Sequence, residues 1–357
     1  MLGNICDRSK FNTCSIGGPQ LKSIGSDLIF DLTPYAVVGL VEVLKNYNFF
    51  KSLLEETITW IKEHRPKCIC LIDYPGFNLR LAKRLADEGL SQKGGGGIKI
   101  IYYIAPQVWA WKAKRRFEMA KTLNSLGVIF PFETACFKDT SLPTSFVGHP
   151  FVQETSKSNL NYKNNNTILL LPGSREQPVR RILPTLLSTF STINKTHPSY
   201  TAVIISSDDH IKEVILKELL KFPKELQNKI SIEESSSKVN ASFSLTSSGT
   251  MSLTCALAGI PGYIVYKAHP LTYLIGRSIV NISYIGIANL LLNKEMYLEF
   301  IQNTAKPSAI LNEFNKDLRF GTEEMRRIAL READKLKALL STEKENNASS
   351  WLLEHIG

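Results

Sequence analysis

The sequence predicts an α/β protein built on parallel sheets, because short apolar runs alternate with segments of helical spacing along most of its 357 residues. These runs are continuous and rich in Ile, Val and Tyr, which is typical of strands buried on both faces of a parallel sheet. We therefore expect two Rossmann-like, doubly wound domains that face each other across a cleft. The predicted strands are 67–74, 98–105, 125–131, 167–172, 200–207, 229–234, 241–248 and 262–267, with helices at 77–89 and 112–123 between the first three.

A polar stretch divides the two sets of predicted strands. Residues 152–166 are rich in Asn and Ser and show no periodic apolar pattern, so we place the connection between domains there. The predicted organisation is a first domain over 1–155, a second over 156–335, and a C-terminal helix over 336–357 that could pack back on the first domain.

The composition indicates the charge of the partner but does not identify the partner. A formal net charge of +10 favours anionic partners, which include nucleic acid, phosphorylated ligands and an acidic membrane surface. No recognised nucleic-acid-binding module accompanies the charge. No apolar run reaches the roughly 20 residues that span a bilayer. The six cysteines form no CxxC pair and no zinc-like spacing with histidine, so we predict a reducing cytosolic setting and no metal site.

The segment Ile168–Arg181, ILLLPGSREQPVRR, predicts a buried strand, a tight turn and a helix with Pro178 in its first turn. Gly173 allows a ligand to approach the backbone, while Ser174 and the first amides of the helix supply hydrogen-bond donors. Arg175 adds a guanidinium whose geometry matches phosphate oxygens. The segment thus predicts a phosphate-binding turn; the alternative is an ordinary strand-to-helix turn with a solvated arginine.

The segment 247–262, SSGTMSLTCALAGIPG, repeats this strand–glycine–helix pattern. Ser248, Gly249 and Thr250 place amides and hydroxyls at a helix start, which suits a phosphate. The alternative is a plain N-cap by Ser248 or Thr250. Two such turns in one predicted domain favour a diphosphate or nucleotide site.

Asp73 ends the predicted strand 67–74, just before the Tyr-Pro-Gly turn. A carboxylate at the carboxyl end of a parallel strand can accept a proton from a substrate hydroxyl. The alternative is an Asx-type turn residue that caps the following helix. Position alone leaves both readings open.

Aromatic residues lie beside a basic run in 107–116, where Trp109 and Trp111 precede Lys112. They could stack a nucleobase, hold a sugar ring or lie at a lipid interface. The alternative is a surface helix with both tryptophans folded inward. The segment 35–54 is very apolar and predicts either core or an exposed patch for acyl chains.

Eight motifs occur in order along the chain: IGGP (16–19), VVGLVEVL (37–44), IDYPGFN (72–78), APQVWAWK (105–112), LPGSR (171–175), SSGT (247–250), LTYLIGR (271–277) and NLLL (289–292). Together they resemble the lipid-A-disaccharide synthase family, which consists of glycosyltransferases with two Rossmann-like domains (GT-B). The resemblance covers nearly the whole chain and implies transfer of 2,3-diacylglucosamine from UDP to the 6-hydroxyl of 2,3-diacylglucosamine 1-phosphate. It also implies inversion at the anomeric carbon, no metal or cofactor, and work at the cytosolic face of the inner membrane as a cytoplasmic, peripheral protein.

The resemblance assigns roles to individual residues. Asp73 is implied as the general base for the acceptor hydroxyl, and Arg175 with the helix-start amides as the groups that stabilise departing UDP. The first domain then binds acceptor and lipid, and the second binds the UDP-sugar. The positions implied for the nucleotide-sugar are Gly173, Ser174, Arg175, Ser248, Gly249, Thr250, Thr254, Asn289 and Gln302, and those implied for the acceptor and its lipid are Gly17, Gly18, Trp109, Trp111 and Lys112.

Three departures from the family pattern carry their own expectations. Family members begin with a strand and a Gly-Glu-x-Ser-Gly-Asp loop, whereas this sequence starts at Met1 within the helix that follows, so we expect either a truncated chain or an impaired enzyme. Thr254 and Pro178 occupy positions where the family often has glutamate. The alternatives to a transferase of this family are a non-catalytic protein that binds UDP-sugar or anionic lipid, and another UDP-sugar GT-B enzyme such as a UDP-N-acetylglucosamine 2-epimerase.

Overall fold

The computed structural model describes residues 11–32, 47–153, 159–268 and 283–356. The chain forms two compact units, one of Met1–Pro150 with Leu340–Gly357 and one of Phe151–Leu339. We call them the N-terminal and C-terminal units. Both carry parallel sheets with helices between the strands, so the predicted α/β class is confirmed. Among the described residues, no helix combines the length and the hydropathy needed to cross a lipid bilayer.

Eight of the fourteen strands among the described residues lie in the predicted apolar runs, and the other six were not predicted. Those of the N-terminal unit are β1 (Cys14–Gly17), β2 (Asp27–Asp31), β3 (Cys68–Ile72), β4 (Lys99–Tyr103), β5 (Ser125–Val128) and β6 (Thr144–Phe146). Those of the C-terminal unit are β7 (Leu160–Tyr162), β8 (Thr167–Leu171), β9 (Thr201–Ser206), β10 (Ile230–Glu234), β11 (Val239–Ala241), β12 (Phe243–Thr246), β13 (Gly262–Tyr266) and β14 (Leu298–Ile301).

The helices alternate with these strands. They are α1 (Pro19–Ser23), α2 (Tyr47–His64), α3 (Pro75–Asp87), α4 (Arg115–Thr122), α5 (Pro150–Gln153), α6 (Glu176–Thr196), α7 (Asp209–Leu219), α8 (Lys224–Gln227), α9 (Thr250–Leu257), α10 (Ile287–Leu292), α11 (Pro307–Phe320), α12 (Thr322–Leu340) and α13 (Ala348–Ile356). Short 3₁₀ helices occur at Gln92–Gly94, Pro131–Phe137, Gln302–Thr304 and Lys344–Asn346.

The described strands of the N-terminal unit form two separate parallel sheets. One pairs β1 with β2, and the other has the order β3-β4-β5-β6. The larger sheet is covered by α3, whose Leu81, Ala82 and Leu85 are buried at the spacing of one helix face. This packing fixes the carboxyl end of β3 relative to the start of α3.

The C-terminal helix α13 belongs to the N-terminal unit. Its Trp351 is buried beside Tyr103 and Ile101 on the face of the larger sheet. A Cβ atom at Gly127 of β5 would lie 3.2 Å from the Trp351 ring, so glycine makes room for the indole there. The end of the chain therefore completes a core that begins more than 200 residues earlier.

Replacing Trp351 with Ala should destabilise the N-terminal unit by about 3–5 kcal/mol, because the buried ring leaves a cavity against β5. All four tryptophans of the chain lie in this unit, so urea unfolding followed by the fluorescence of the other three reports on it alone. The exposed Glu354 of the same helix provides the control, and E354A should change stability by less than about 0.5 kcal/mol. Equal stability of W351A and E354A would contradict the packing role.

The C-terminal unit has one six-stranded parallel sheet with the order β10-β9-β8-β12-β13-β14. Numbered from the first strand of this sheet, that order is 3-2-1-4-5-6, the Rossmann order. The direction of winding reverses between β8 and β12, and ligands bind in such sheets where that reversal opens a crevice at the carboxyl ends of the strands.

The core of the C-terminal unit lies between this sheet and helix α6. Val179, Leu183, Leu186 and Phe190 of α6 are fully buried at helical spacing. A small second sheet pairs β7 with β11. We predicted an irregular connection over 152–166, but it contains strand β7. A strand of three residues forms through backbone pairing and leaves little side-chain pattern, so the sequence pattern does not reveal it.

Candidate active site

Asp73 lies at the carboxyl end of β3, and other elements fix its backbone. Its N–H donates to the Tyr103 carbonyl oxygen at 2.9 Å. Its own carbonyl oxygen accepts from Tyr102 Oη at 2.5 Å and from Asn78 Nδ2 at 2.7 Å. Asp73 and Tyr74 both have left-handed backbones, with φ of 44° and 46°. Two consecutive non-glycine residues in this region store strain, which is characteristic of functional sites.

The carboxylate of Asp73 is exposed and has no hydrogen-bond partner among the described residues. Helix α3 begins at Pro75 with Tyr74 as its N-cap and has no side-chain cap. The alternative reading of Asp73 as a capping residue is therefore wrong. An open carboxylate at a strand end is able to accept a proton from a bound hydroxyl.

A row of aromatic rings ends beside Asp73. Ring centroids are 5.6 Å apart for Phe30 and Phe49, 5.1 Å for Phe49 and Phe50, and 5.9 Å for Phe50 and Tyr74. The predicted apolar segment 35–54 reaches this row through its last residues, and its part before residue 47 lies outside the described residues. The row gives the strand end an apolar flank.

The two tryptophans of 105–112 have different environments. Trp109 is half-buried and packs edge-to-face on Phe132, with centroids 5.4 Å apart. Trp111 is 46% exposed, and Lys112 Nζ lies 4.6 Å from its ring centroid. Inward packing therefore holds for Trp109 and not for Trp111.

The other predicted acceptor positions lie at the start of α1. Gly17 ends β1 and Gly18 is the N-cap of α1, and both are partly exposed. The motifs at 37–44 and 271–277 lie outside the described residues. The role of Gly17 and Gly18 in acceptor binding stays a prediction.

Two buried ionisable residues of the N-terminal unit were not assigned as site residues from the sequence. Glu133 is 2% exposed, and its Oε2 accepts the backbone N–H of Phe130 at 3.0 Å. His149 is 4% exposed and stacks on the Phe130 ring with centroids 5.4 Å apart. Burial raises the pKa of Glu133 to about 7 and lowers the pKa of His149 to about 4. Both side chains follow strands of the larger sheet, but only the folded chain brings both to Phe130, Glu133 to its backbone N–H and His149 to its ring.

Glu133 and His149 should affect the pH dependence of stability in opposite directions. The pKa of Glu133 is raised on folding, so its contribution is fully present below about pH 4.5 and is lost as the pH rises through about 7. The pKa of His149 is lowered, so its contribution is present above about pH 6.5 and is lost as the pH falls through about 4. Between about pH 4.5 and pH 6.5 the contributions of Glu133 and His149 to stability change in opposite directions and largely cancel.

Replacing Glu133 with Gln should remove one of these effects. We expect the free energy of unfolding of E133Q, relative to that of the original protein, to rise by on the order of 2–3 kcal/mol from pH 5 to pH 8. The reason is that a neutral amide needs no proton to stay buried. Urea unfolding at both pH values, followed by tryptophan fluorescence, measures this difference. The exposed Glu118→Gln variant is the control and should show no such gain. A difference that does not change with pH would show that Glu133 is ionised throughout.

In the C-terminal unit, two predicted glycine turns meet at the reversal of the sheet. Gly173 follows β8 and Ser247 follows β12, and these two strands are neighbours. The Ser247 N–H donates to the Leu171 carbonyl oxygen at 2.8 Å. A Cβ atom at Gly173 would lie 3.6 Å from Ser247 Oγ, and Gly173 has a φ of 119° that favours glycine. The two turns thus form one wall of the crevice.

Both turns lead directly into helix starts without side-chain caps. Arg175 is the N-cap of α6 and Gly249 is the N-cap of α9. N-capping by Ser248 or Thr250, the alternative left open by the sequence, is therefore wrong. The first amides of each helix lack intrahelical acceptors and carry the positive end of the helix dipole. They supply donors for phosphate oxygens at the crevice.

Arg175 is exposed and has no ion-pair partner among the described residues. One turn along the same helix, Arg180 pairs with Glu176 at 2.8 Å. Ser174 is also exposed, and its carbonyl oxygen accepts from Ser207 Oγ at 3.5 Å. The guanidinium of Arg175 is thus available to an anion at the crevice.

The predicted position Thr254 lies one turn into α9. Its hydroxyl donates to the Thr250 carbonyl oxygen at 3.1 Å and keeps its lone pairs for a ligand. The residue is partly exposed and lines a cavity of about 580 Å³ with Met251 and Tyr162. Thr254 can therefore form a hydrogen bond with a ligand but brings no charge to it.

Asn289 is fully buried and its amide is fully used inside the protein. Its Nδ2 donates to the Tyr297 carbonyl oxygen and to Glu299 Oε1, at 2.7 and 2.8 Å. Its Oδ1 accepts from the N–H groups of Met296 and Tyr297. In this geometry Asn289 positions backbone and has no atom free for a direct contact with the nucleotide-sugar.

Gln302 likewise binds backbone. Its Oε1 accepts the N–H of Ala268 at 2.9 Å, and its Nε2 donates to the carbonyl oxygen of Ala268 at 3.2 Å. These two bonds fix the chain just after β13. Among the described residues, no group of three or more His, Cys, Asp or Glu is placed to hold a metal ion.

The fold defines the class of protein. The crystal structure of UDP-GlcNAc 2-epimerase from Neisseria meningitidis superposes with a TM-score of 0.57 at 11% identity, over 99% of this chain and 95% of that chain. A putative UDP-N-acetylglucosamine 2-epimerase from Listeria monocytogenes gives 0.53 at 11% identity, over 87% and 78%. At this identity the likeness shows the fold alone, which is the α/β fold with two Rossmann-like domains.

The sequence then identifies the family. The model of the lipid-A-disaccharide synthetase family matches residues 3–355. Lipid-A-disaccharide synthase 1 of Legionella pneumophila is 36% identical over 318 residues, 85% of this chain and 80% of that protein. The Nitrosococcus oceani lipid-A-disaccharide synthase is 34% identical over 305 residues, 83% and 76%. The chain belongs to the lipid-A-disaccharide synthetase family, which confirms the resemblance carried by its motifs and the predicted enzyme class, a glycosyltransferase.

Proposed function

We propose that this protein transfers 2,3-diacylglucosamine from UDP to the 6-hydroxyl of 2,3-diacylglucosamine 1-phosphate and so forms a β(1→6)-linked disaccharide. Family membership supports the reaction. The structural observation that carries it is the pair of uncapped helix starts with the unpaired Arg175 at the reversal of the C-terminal sheet. This arrangement suits the diphosphate of a UDP-sugar.

The acceptor side of the reaction requires a base. The Asp73 carboxylate takes the proton from the acceptor 6-hydroxyl as its oxygen attacks the anomeric carbon of the donor sugar. The new C–O bond forms on the face opposite UDP, and the bond from the anomeric carbon to the diphosphate oxygen breaks with both electrons leaving on UDP. The anomeric carbon is inverted.

The donor side of the reaction requires charge stabilisation. Negative charge develops on the β-phosphate as UDP leaves, and Arg175 with the first amides of α6 and α9 stabilises it. Ser174, Ser248 and Thr250 add donors beside these amides, and the hydroxyl of Thr254 hydrogen-bonds the nucleotide. Asn289 and Gln302 act through the backbone that they hold. These groups make the proposed mechanism independent of a metal or cofactor.

Both proposed substrates are acylated and anionic, so the enzyme needs access to a membrane surface. The net charge of +10 supports peripheral binding to the anionic cytosolic face of the inner membrane. Nucleic acid is not among the proposed partners.

The test is to incubate the purified protein with both acylated substrates and to measure UDP and the disaccharide 1-phosphate by mass spectrometry. Equal amounts of the two products are expected, and none without acceptor. UDP release without disaccharide, conversion of UDP-N-acetylglucosamine alone, or binding of the donor without turnover would each contradict the proposed reaction.

A further inference from the structure

Two cations lie against one exposed indole ring where β4 leads into α4. Trp111 is 46% exposed, Lys112 Nζ lies 4.6 Å from its ring centroid, and Arg115 Cζ lies 5.6 Å from it. Lys114 is the N-cap of α4 between them. Lys112 has a left-handed backbone with φ of 52°, a conformation that costs free energy for a non-glycine residue. We call Trp111, Lys112 and Arg115 the cationic ring site.

The cations of this site differ from their neighbours in lacking partners. Arg116, the next residue, binds Asp139 through two hydrogen bonds of 2.8 and 2.6 Å, and Lys121 pairs with Glu118 at 3.2 Å. Lys112 and Arg115 have no carboxylate partner among the described residues.

The helix itself makes this positive charge more costly. Lys114 caps α4 without a side-chain hydrogen bond, and Arg115 and Arg116 are its first residues. Cations at a helix N-terminus are disfavoured by the helix dipole. An anion bound between Lys112 and Arg115 would relieve both the mutual repulsion and the interaction with the dipole.

A buried phenol links the cationic ring site to Asp73. The hydroxyl of Tyr102 donates to the Asp73 carbonyl oxygen at 2.5 Å. Burial raises the pKa of Tyr102, the Asp73 carboxylate raises it further, and the charge of Arg115 lowers it. Arg115 and Asp73 therefore both act electrostatically on the Tyr102 side chain. Tyr102 pairs with Leu71 near the carboxyl ends of β3 and β4.

We propose that the cationic ring site binds the phosphate monoester of the acceptor, so that the same sugar presents its 6-hydroxyl to Asp73. The inference rests on the proposed function and adds a subsite to it. The guanidinium of Arg115 matches two phosphate oxygens, Lys112 adds a point charge, and the Trp111 face packs against the sugar ring. In a sugar 1-phosphate, C1 with its phosphate and C5 with its 6-hydroxyl arm flank the ring oxygen, so one acceptor molecule offers both groups.

The kinetic test uses two acceptors that differ only in the 1-phosphate. With the phosphorylated acceptor in detergent micelles, Arg115→Ala should lower kcat/KM about 10- to 100-fold, mainly by raising the acceptor KM, and leave the KM of the UDP-sugar unchanged. With the acceptor that lacks the phosphate, the loss should shrink to less than about threefold. Lys112→Ala should show the same dependence on phosphate, and Lys121→Ala on the same helix is the matched control.

A binding measurement keeps this test separate from the proposed function. Titration with glucosamine 1-phosphate and with glucosamine should change tryptophan fluorescence only for the phosphate, and the change should be lost in Arg115→Ala and in Trp111→Phe. If the original protein forms no disaccharide, the proposed function fails, while this binding result still decides the subsite.

Two results would overturn the subsite. One is an equal loss with both acceptors, which would make Arg115 a structural residue. The other is normal kinetics in micelles with reduced binding to phosphatidylglycerol vesicles, which would assign the cationic ring site to the membrane surface. Circular dichroism confirms that each variant is folded.

Discussion

Replacing Asp73 with Asn is expected to lower kcat for disaccharide formation by about 10²- to 10⁴-fold, because the substitution removes the base and leaves the site otherwise in place. Asparagine is the preferred substitution since it tolerates the left-handed backbone that Asp73 adopts, with φ of 44°. The hydrogen bonds from Tyr102 and Asn78 go to the main-chain carbonyl oxygen, so they survive. Single-turnover measurement of disaccharide from bound substrates reads the chemical step.

The control for this variant is Asp87→Asn at the end of α3. Asp87 is also an exposed carboxylate, and it pairs with Lys83 at 3.0 Å. We expect its kcat to stay within about twofold of the original, since exposed ion pairs contribute little. Undiminished transfer by D73N would remove Asp73 from the role of base. A fall in the melting temperature that matched the fall in kcat would instead indicate a structural role.

The strands and the glycine turns could be predicted from the sequence because each depends on local chemistry. A run such as 167–172 is continuously apolar, and a strand with both faces buried requires that composition. Gly173 has a φ of 119° and Gly249 a φ of 146°, backbone conformations that L side chains rarely adopt. The residue type therefore marks the turn before any tertiary contact is known.

The supports of these turns could not be predicted, because they come from distant parts of the chain. Tyr102 reaches Asp73 from the neighbouring strand, and His149 meets the Phe130 ring from the loop after β6. Their sequence neighbourhoods carry no sign of these contacts. Asn289 shows the opposite difficulty: its sequence position marks it as important, but its burial directs all of its hydrogen bonds to the protein itself.

Replacing Arg175 with Ala is expected to lower kcat by about 10²- to 10³-fold, with a much smaller change in the KM of the UDP-sugar. A guanidinium that stabilises charge appearing only as UDP leaves acts on the transition state more than on the bound substrate. Arg175→Lys should recover only part of the rate, because an ammonium group cannot bind two phosphate oxygens in one plane. Steady-state kinetics with saturating acceptor separate the two parameters.

The matched control is Arg180→Ala on the same helix, where the guanidinium already pairs with Glu176 at 2.8 Å. Loss of that exposed pair should leave kcat within about twofold. If R175A raised only the KM of the donor, Arg175 would bind ground state and transition state equally, and the helix-start amides would remain the groups that stabilise the leaving diphosphate. If R175A and R180A lowered kcat equally, the loss would come from removing a positive charge from this helix in general. The lack of an ion-pair partner at Arg175 would then play no part in catalysis.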